Sequence, residues 1–238
     1  MNKICNICGK YINIKTLKKH QESKRCKSFL NTNLKEELKK INKFINNNYC
    51  PVIDNKVHDD NNLYKLNSTN ELKIKIKNKI TKIIGNNEKI DNLVNEILPL
   101  TISSGTKGVI RGNLFNKEVS LIIKETINDR IHLKYFEEKI PKNKKLSERP
   151  DWFIDDTKNN KLLIGYNQLD LWNGGQQYNR GDKYMNINND KDKIIFVICK
   201  KTKVNNKNKK FNIFKLGIEK EILFYPKNLK NYIINFFK

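Results

Sequence analysis

The sequence has no apolar stretch approaching the about 20 residues that span a bilayer, and its N-terminus lacks the apolar segment of a secretory signal. We therefore expect an intracellular protein, in the cytoplasm or the nucleus, that is not secreted and has no membrane partner. Cysteine is also scarce, with five in 238 residues, and three of them lie within the first 26 residues. This distribution suits a metal site in a reducing compartment better than a disulfide framework.

Acidic residues are few in relation to basic ones. The chain has 48 Lys and Arg against 25 Asp and Glu, a formal net charge of +23. Such an excess favours a polyanionic partner, because each neutralised phosphate releases condensed counterions. Part of the charge reflects composition, since Lys, Asn and Ile dominate the chain and about one residue in six is Asn. The charge therefore supports a nucleic-acid partner but does not establish one.

Arginine is rare in this lysine-rich chain, so its positions are informative. Its planar guanidinium suits bidentate contacts with phosphate better than the lysine ammonium does. Four of the five arginines fall in or beside the motifs described below: Arg25, Arg111, Arg149 and Arg180.

Four side chains near the N-terminus have the spacing of a metal site. Two residues separate Cys5 from Cys8, eleven separate Cys8 from His20, and five separate His20 from Cys26. Such a set suits tetrahedral zinc, with two thiolates on a knuckle and two ligands from a helix. The segment resembles a Cys2His2-type zinc finger, in a Cys2HisCys variant. The resemblance implies a structural Zn²⁺ within residues 1–30.

The role of this finger is open to three interpretations. A lone finger can stabilise a fold, bind a protein, or dock on DNA, where it covers only about 3 base pairs. We expect docking on double-stranded DNA. Lys15, Lys18 and Lys19 on the finger helix would then contact phosphates, which position a duplex without reading its sequence.

Two segments of different character occupy residues 31–70. Apolar residues recur at helical spacing from Asn33 to Asn46 and predict an amphipathic helix, which could pair with a second copy of the chain or pack on a core. Residues 51–70 have little periodic apolar content and predict a linker. A domain boundary is therefore expected before residues 71–238.

Residues 71–238 show both helical and strand periodicity. We expect helices at 72–84, 90–98 (closed by Pro99), 114–126 and 226–237, and a polar helix after Gly174. We expect strands at 131–136, 151–156, 161–170 and 193–200, with a turn at 157–160. Seven of the ten glycines lie between Gly105 and Gly181, so we expect this region to need specific backbone conformations.

One hairpin carries a candidate catalytic pattern. Arg149-Pro150-Asp151 precedes the first strand, and Tyr166-Asn167-Gln168-Leu169-Asp170 ends the second. Residues 105–200 resemble the PD-(D/E)XK nuclease superfamily, in its restriction-endonuclease-like members. The resemblance implies an α/β (α+β) fold with a mixed central sheet flanked by helices. It also implies Mg²⁺-dependent hydrolysis of phosphodiester bonds in DNA.

The superfamily pattern matches this chain unevenly. Asp151 occupies the Pro-Asp position, and Gln168 the position usually held by Lys, where it would orient or polarise the attacking water. Tyr166 occupies the second acidic position and is a poor ligand for a hard cation at neutral pH. Either Asp170, on the same side of a continuing strand, supplies that Mg²⁺ ligand, or the enzyme is weakened or inactive. Glu118 resembles the accessory acid of many members.

The segment that follows the hairpin could line a phosphate path. Gln176, Asn179, Arg180 and Lys183 share one helical face, and we expect Arg180 to contact the scissile-strand phosphate or to stabilise developing charge. A solvated helix after a structural turn is the alternative. Upstream residues that could shape the same cleft are Gly108, Arg111, Gly112 and Asn113.

The leading hypothesis is a Mg²⁺-dependent DNA endonuclease with an N-terminal zinc finger. A non-catalytic DNA-binding protein that keeps the fold as a platform is one alternative. An RNA-binding or RNA-processing protein is another, and it predicts a preference for structured RNA over duplex DNA. Cys50 and Cys199 stand alone in the sequence, and no role is predicted for the isolated residues His58 and His132.

Overall fold

The N-terminal segment forms a small strand–strand–helix unit. A computed structural model of the protein describes residues 2–4, 11–59, 70–142, 144–146, 148–169, 192–201, 203–204 and 211–238. Strand β1 (Asn2–Ile4) pairs antiparallel with β2 (Tyr11–Asn13), and a 3-10 turn at Ile14–Thr16 leads into α1 (Leu17–Glu22). The Asn13 side chain accepts a hydrogen bond from the Lys15 backbone N–H at 3.0 Å, which caps the turn.

A break at Ser23 separates α1 from the long helix α2 (Lys24–Asn48). Ser23 is extended, with ψ of 145°, and both its backbone N–H and its hydroxyl donate to the carbonyl oxygen of His20. The expectation that one helix carries both His20 and Cys26 is therefore wrong. His20 lies on α1, whereas Cys26 lies on α2.

The C-terminal half of α2 packs on the main sheet. Ile41 and Ile45 are buried there, so the predicted amphipathic face is used for core packing. The next helix, α3 (Pro51–His58), buries Ile53 and Val57 against the opposite face of the same sheet. The predicted linker is therefore wrong for residues 51–58. Two buried apolar residues one turn apart, with Pro at the first turn, were enough to form a helix.

Among the described residues, three helices lie between α3 and the first strand of the main sheet: α4 (Asn70–Ile84), α5 (Ile90–Thr101) and α6 (Ser104–Ile127). All three were predicted, although α5 continues past Pro99 and α6 begins ten residues before the predicted start at 114. Gly85, with φ of 76°, follows the last residue of α4 in the left-handed conformation. Among the described residues, no helix is long and apolar enough to cross a membrane.

The main sheet has five strands in the order β3-β4-β5-β6-β7. The β3-β4-β5 meander is antiparallel, whereas β5-β6 and β6-β7 are parallel. Its strands are β3 (Leu133–Glu137), β4 (Trp152–Asp156), β5 (Lys161–Gln168), β6 (Asp192–Ile198) and β7 (Leu223–Phe224). The remaining helices are α7 (Phe211–Glu219) and α8 (Pro226–Phe236). A mixed sheet with helices on both sides confirms the α+β class.

Each face of the sheet buries its own apolar cluster. The first face packs against α2 and α7 and contains Leu162, Ile164, Tyr166, Phe196, Ile198 and Phe214. The second face packs against α3, α6 and α8 and contains Trp152, Ile154, Leu163, Ile195, Phe115 and Ile233. Alternate residues of β5 therefore point to opposite clusters, as strand geometry requires.

The β4–β5 turn is fixed by a buried carboxylate. Asp156 is fully buried and accepts hydrogen bonds from the backbone N–H groups of Lys158 and Asn159 and from the Asn159 side chain, at 2.8–3.0 Å. Burial raises the pKa of this carboxyl, but the hydrogen bonds outweigh burial and hold it below its ordinary value. The predicted turn at 157–160 is thus confirmed, and it sets the register that brings residue 151 beside residue 167.

Candidate active site

Asp151 lies at the start of β4, where its carboxylate reaches across to β5. One oxygen accepts the backbone N–H of Asn167 at 2.7 Å, and the other accepts the side-chain amide of Asn116 at 3.3 Å. Asn116 belongs to α6, so the carboxylate joins a helix and two strands. The side chain is half-buried, which leaves it accessible from the cleft described below.

A network of two amides surrounds this carboxylate. The Asn167 side chain donates to Oδ1 of Asn116 at 3.0 Å, and its own Oδ1 accepts the indole N–H of Trp152 at 3.0 Å. Each partner therefore fixes the orientation of the next one. The result is a rigid group of three oxygen-bearing side chains, Asn116, Asp151 and Asn167.

A second acid stands on the neighbouring strand. Glu137 of β3 is paired in register with Trp152, and its carboxylate accepts hydrogen bonds from Ser120 at 2.6 Å and from Lys124 at 2.8 Å. The Lys124 ammonium, then the Ser120 hydroxyl, hold the pKa of Glu137 below its ordinary value, so it is ionised at neutral pH. Burial raises the pKa of the adjacent Tyr135, which stays a protonated phenol.

These groups line an open cleft of about 780 Å³ between α6 and the β3–β4–β5 meander. The cleft is polar at its centre, where the amides and Asp151 lie, and positively charged along α6. Its polar lining residues are Asn113, Asn116, Lys117, Ser120, Lys124, Tyr135, Glu137, Glu138, Asp151 and Asn167.

The predicted water-orienting residue lies on the other face of the sheet. Tyr166 stacks on Phe196 in the first cluster, and its hydroxyl donates to the carbonyl oxygen of Glu148 at 3.1 Å. Gln168 follows Tyr166 on the same side, opposite Ile198, and is only 3% exposed. Asn167, between them, points to the cleft. The structure therefore brings Asn167 to Asp151, and does not bring Gln168 there.

The predicted accessory acid is also turned away from Asp151. Glu118 lies on α6, but its carboxylate pairs with Lys56 of α3 at 3.2 Å. Arg111 lies on the same helix, half-buried, and is not among the described residues that line the cleft. Gly108 and Gly112 lie within α6 as well, where a β-carbon would meet nothing within 4 Å. The surroundings of these two glycines therefore do not support their expected role in shaping the cleft.

Several predicted site residues lie outside the described residues. These are Cys5, Cys8, Asp170, Gln176, Asn179, Arg180 and Lys183. The backbone of Cys26 is described within α2, but its side chain is not. In the N-terminal strand–strand–helix unit, His20 is partly buried on α1, and Lys15, Lys18 and Lys19 are exposed to solvent.

Sequence reasoning missed Asn116, Asn167 and Glu137. One signal was present, because Asn116, Ser120 and Lys124 are spaced four residues apart and form a polar stripe along α6. Asn167 gave no signal, since Asn is so common in this chain.

In comparisons with known proteins, no family model, no curated protein and no solved structure matches the chain.

Proposed function

We propose that the protein is a Mg²⁺-dependent DNA endonuclease whose active site is the Asp151 cleft. The observation that carries this proposal is the convergence of Asp151, Asn116 and Asn167 in an open cleft at the start of the predicted hairpin. The superfamily resemblance implies a helix with an acid, a hairpin, a second helix and a further strand; the helix at Ser104–Ile127, the β4–β5 hairpin and strand β6 follow in that order, and the segment of the second helix lies outside the described residues. The mixed sheet flanked by helices agrees as well.

The donor set in the cleft suits a hard divalent cation. Mg²⁺ prefers carboxylate and amide oxygens, usually keeps several waters, and needs only one or two protein carboxylates. Asp151 supplies one carboxylate, and the oxygens of Asn116 and Asn167 each have a second lone pair beside their present hydrogen bond. We assign Asp151, Asn116 and Asn167 to this cation. When bound, it would polarise the phosphate and activate a water.

The other cleft residues would act on the substrate directly. Lys117 and Lys124 on α6 place positive charge where a phosphate backbone would lie. Glu137, held ionised by Lys124 and Ser120, can accept a proton from a water in the cleft or extend the cation site. Asp170 and Arg180, together with their neighbouring polar residues, keep the roles that the sequence predicts for them.

The N-terminal unit supports the second half of the proposal, delivery to DNA. Two short strands followed by a helix place the Cys5–Cys8 segment between β1 and β2 and His20 on α1. The two strands and the position of His20 support a zinc finger that holds a structural Zn²⁺, with the fourth ligand, Cys26, contributed by the next helix, α2. The exposed lysines of this unit, Lys15, Lys18 and Lys19, are available to phosphates.

A non-catalytic DNA-binding protein is the second candidate, and one observation favours it. Both oxygens of Asp151 already accept hydrogen bonds, and Tyr166, at the second acidic position of the pattern, is a core residue. Under this alternative the cleft binds a phosphate backbone without cutting it. The two candidates predict the same DNA binding and differ only in cleavage.

The deciding experiment is plasmid cleavage by the purified full chain with and without Mg²⁺. We expect Mg²⁺-dependent nicking or linearisation, reduced in Asp151→Ala by more than about 100-fold, the upper limit typical of residues that only support a ligand. Asp155→Ala is the matched control, because Asp155 lies on the same strand but lines a different surface depression. An inactive wild type whose DNA affinity is unchanged by Asp151→Ala would establish the non-catalytic alternative. Structured RNA as competitor at fixed salt tests the RNA alternative.

A further inference from the structure

A second cluster of potential metal ligands includes none of the residues that line the Asp151 cleft. Asp54 and His58 lie one turn apart on α3, and Cys199 follows the last residue of β6. One ligand atom from each of the three lies within 4.8 Å of the other two. The sequence offered no motif here, because the three residues come from two distant segments.

We propose that Asp54, His58 and Cys199 form a zinc site that ties helix α3 to the end of strand β6. An oxygen, a nitrogen and a sulfur donor are the set that Zn²⁺ accepts in proteins. Three protein ligands leave the fourth tetrahedral position for a water, and the ligand atoms Oδ1 of Asp54 and Nε2 of His58 are themselves buried. This proposal does not depend on the nuclease assignment.

The spacing of the ligand atoms is close to the one that zinc requires. Metal–oxygen and metal–nitrogen distances near 2.0 Å place tetrahedral ligand atoms about 3.3 Å apart. Nε2 of His58 and Oδ1 of Asp54 are 3.2 Å apart. The sulfur of Cys199 must approach to about 3.6 Å, since zinc–sulfur distances are near 2.3 Å. The sulfur lies within 4.8 Å of both atoms, so it needs to move by at most about 1.2 Å.

The carboxylate ligand is already oriented by a neighbour. The hydroxyl of Tyr49 donates a hydrogen bond to Oδ2 of Asp54, which leaves Oδ1 turned toward His58. Metal ligands commonly carry such an outer hydrogen bond, because it fixes the ligand atom before the ion arrives.

Two simpler interpretations account for less of the arrangement. An ion pair between His58 and Asp54 explains their contact, and Cys199 packs in the second apolar cluster, but neither explains why the three donor atoms lie within 4.8 Å of one another. A Cys–His–Asp catalytic group would need an accessible nucleophile, whereas Cys199 is only 1% exposed.

The location gives the site a structural consequence. The backbone N–H of Cys199 donates to the carbonyl oxygen of Gln168 at 2.9 Å, so the thiol sits where β5 and β6 end together. Helix α3 also contacts α6 through the ion pair of Lys56 with Glu118. A zinc ion here would therefore hold α3 against the end of the sheet at which the chain leaves β5.

The test is the zinc content of the full chain, purified under reducing conditions and passed over a weak chelator. We expect about two zinc ions per chain, one in the finger and one at this site. His58→Gln and Cys199→Ala should each remove one, and Cys5→Ser with Cys8→Ser should remove the other. His132→Gln, a change of the same type at a residue outside both sites, should remove none. Wild-type zinc content in His58→Gln overturns the proposal.

Cobalt substitution separates this site from the finger. In the Cys5→Ser/Cys8→Ser background, Co²⁺ should give thiolate charge-transfer absorption that Cys199→Ala abolishes and His132→Gln preserves. Absence of that absorption in the finger-free background overturns the proposal even if the finger proves to bind zinc. If Cys199→Ala fails to fold, His58→Gln, at a partly exposed residue, gives the same reading through loss of Co²⁺ binding.

Discussion

The indole of Trp152 lies directly over the backbone of Gly165, so that a β-carbon at residue 165 would stand only 2.0 Å from its Cε2 atom. Residues 165 and 167 share the cleft face of β5, because side chains alternate along a strand. The indole therefore occupies the space that a carboxylate at residue 165 would need. Any second carboxylate of the cleft has to come from elsewhere, and Glu137 on β3 is in place to provide it.

Because Trp152 lies so close to Gly165, even the methyl group of an alanine at residue 165 should destabilise the fold. Gly165→Ala should lower the free energy of unfolding by about 1–3 kcal/mol, since the added methyl forces the indole or the strand to move. Urea unfolding at neutral pH measures the change. Gly112→Ala is the matched control in α6, where a β-carbon meets nothing within 4 Å. That control should gain about 0.5–1 kcal/mol from helix propensity. Equal effects of the two changes would contradict the packing described.

Asn167→Asp should convert the amide network into a stronger cation site. The new carboxylate can still accept the Trp152 indole N–H, but it places a second negative charge beside Asp151. Without Mg²⁺ we expect a loss of about 1–3 kcal/mol in unfolding free energy. Mg²⁺ at ten times its dissociation constant should restore about 1.4 kcal/mol.

The measurement for Asn167→Asp is thermal or urea unfolding as a function of Mg²⁺ concentration. Asn113→Asp, an exposed residue of the same cleft, adds the same charge without touching the network. If Mg²⁺ stabilises the two variants equally, the cation is not held at residues 116, 151 and 167.

The ion pair of Glu137 predicts a defined dependence of stability on pH. Lys124 lowers the pKa of this carboxyl in the folded state, so its stabilising effect is present above the unfolded pKa of about 4.3 and is lost as the pH falls through the lowered value. Because both partners are about half exposed, the effect should stay below about 1 kcal/mol. The difference between wild type and Glu137→Gln in urea unfolding should be present at pH 6 and should shrink as the pH falls through the lowered pKa. A difference that grows on acidification would contradict the assignment.

The finger lysines should contribute to the salt dependence of DNA binding. Replacing Lys15, Lys18 and Lys19 by Gln should reduce the slope of log affinity against log salt by up to about 2.7, because each phosphate contact contributes about 0.9. Lys75, Lys79 and Lys82 of α4, also exposed, form a control set with the same change in net charge. Fluorescence anisotropy with a short duplex at several salt concentrations gives both slopes. Equal slopes would assign the effect to net charge rather than to the finger.

The elements that sequence predicted well are those with an uninterrupted apolar pattern. The β4–β5 hairpin and β6 follow from runs of branched and aromatic residues, and the turn from its polar cluster. Helix α3 was missed because only Ile53 and Val57 are buried within it, and its C-terminal end runs into a polar segment. A helix stabilised by a few tertiary contacts leaves little periodicity in the sequence.

The sequence predicted Asp151 as a site residue, but it did not predict the residues that surround Asp151 in the structure. The superfamily pattern directed attention to Tyr166 and Gln168, whereas the pleat of β5 turns Asn167 toward the cleft. Which face a strand residue occupies depends on register against the neighbouring strands and helices, and that information is not local. The same limitation applies to Asp54 and His58, whose proposed third partner, Cys199, is more than 140 residues away in the chain.

The continuity of α2 has a geometric consequence for any duplex that contacts both the finger and the cleft. The helix begins at Lys24, and its side chains pack toward the sheet from Leu34 onward. The intervening stretch rises about 15 Å, the length of four to five base pairs. Each residue inserted there would turn the finger by about 100° about the helix axis, whereas seven would nearly restore its direction and move it about 10 Å outward. The spacing between the two contacts on DNA would therefore vary periodically with the number of inserted residues, following the turn of the helix, and not in simple proportion to that number.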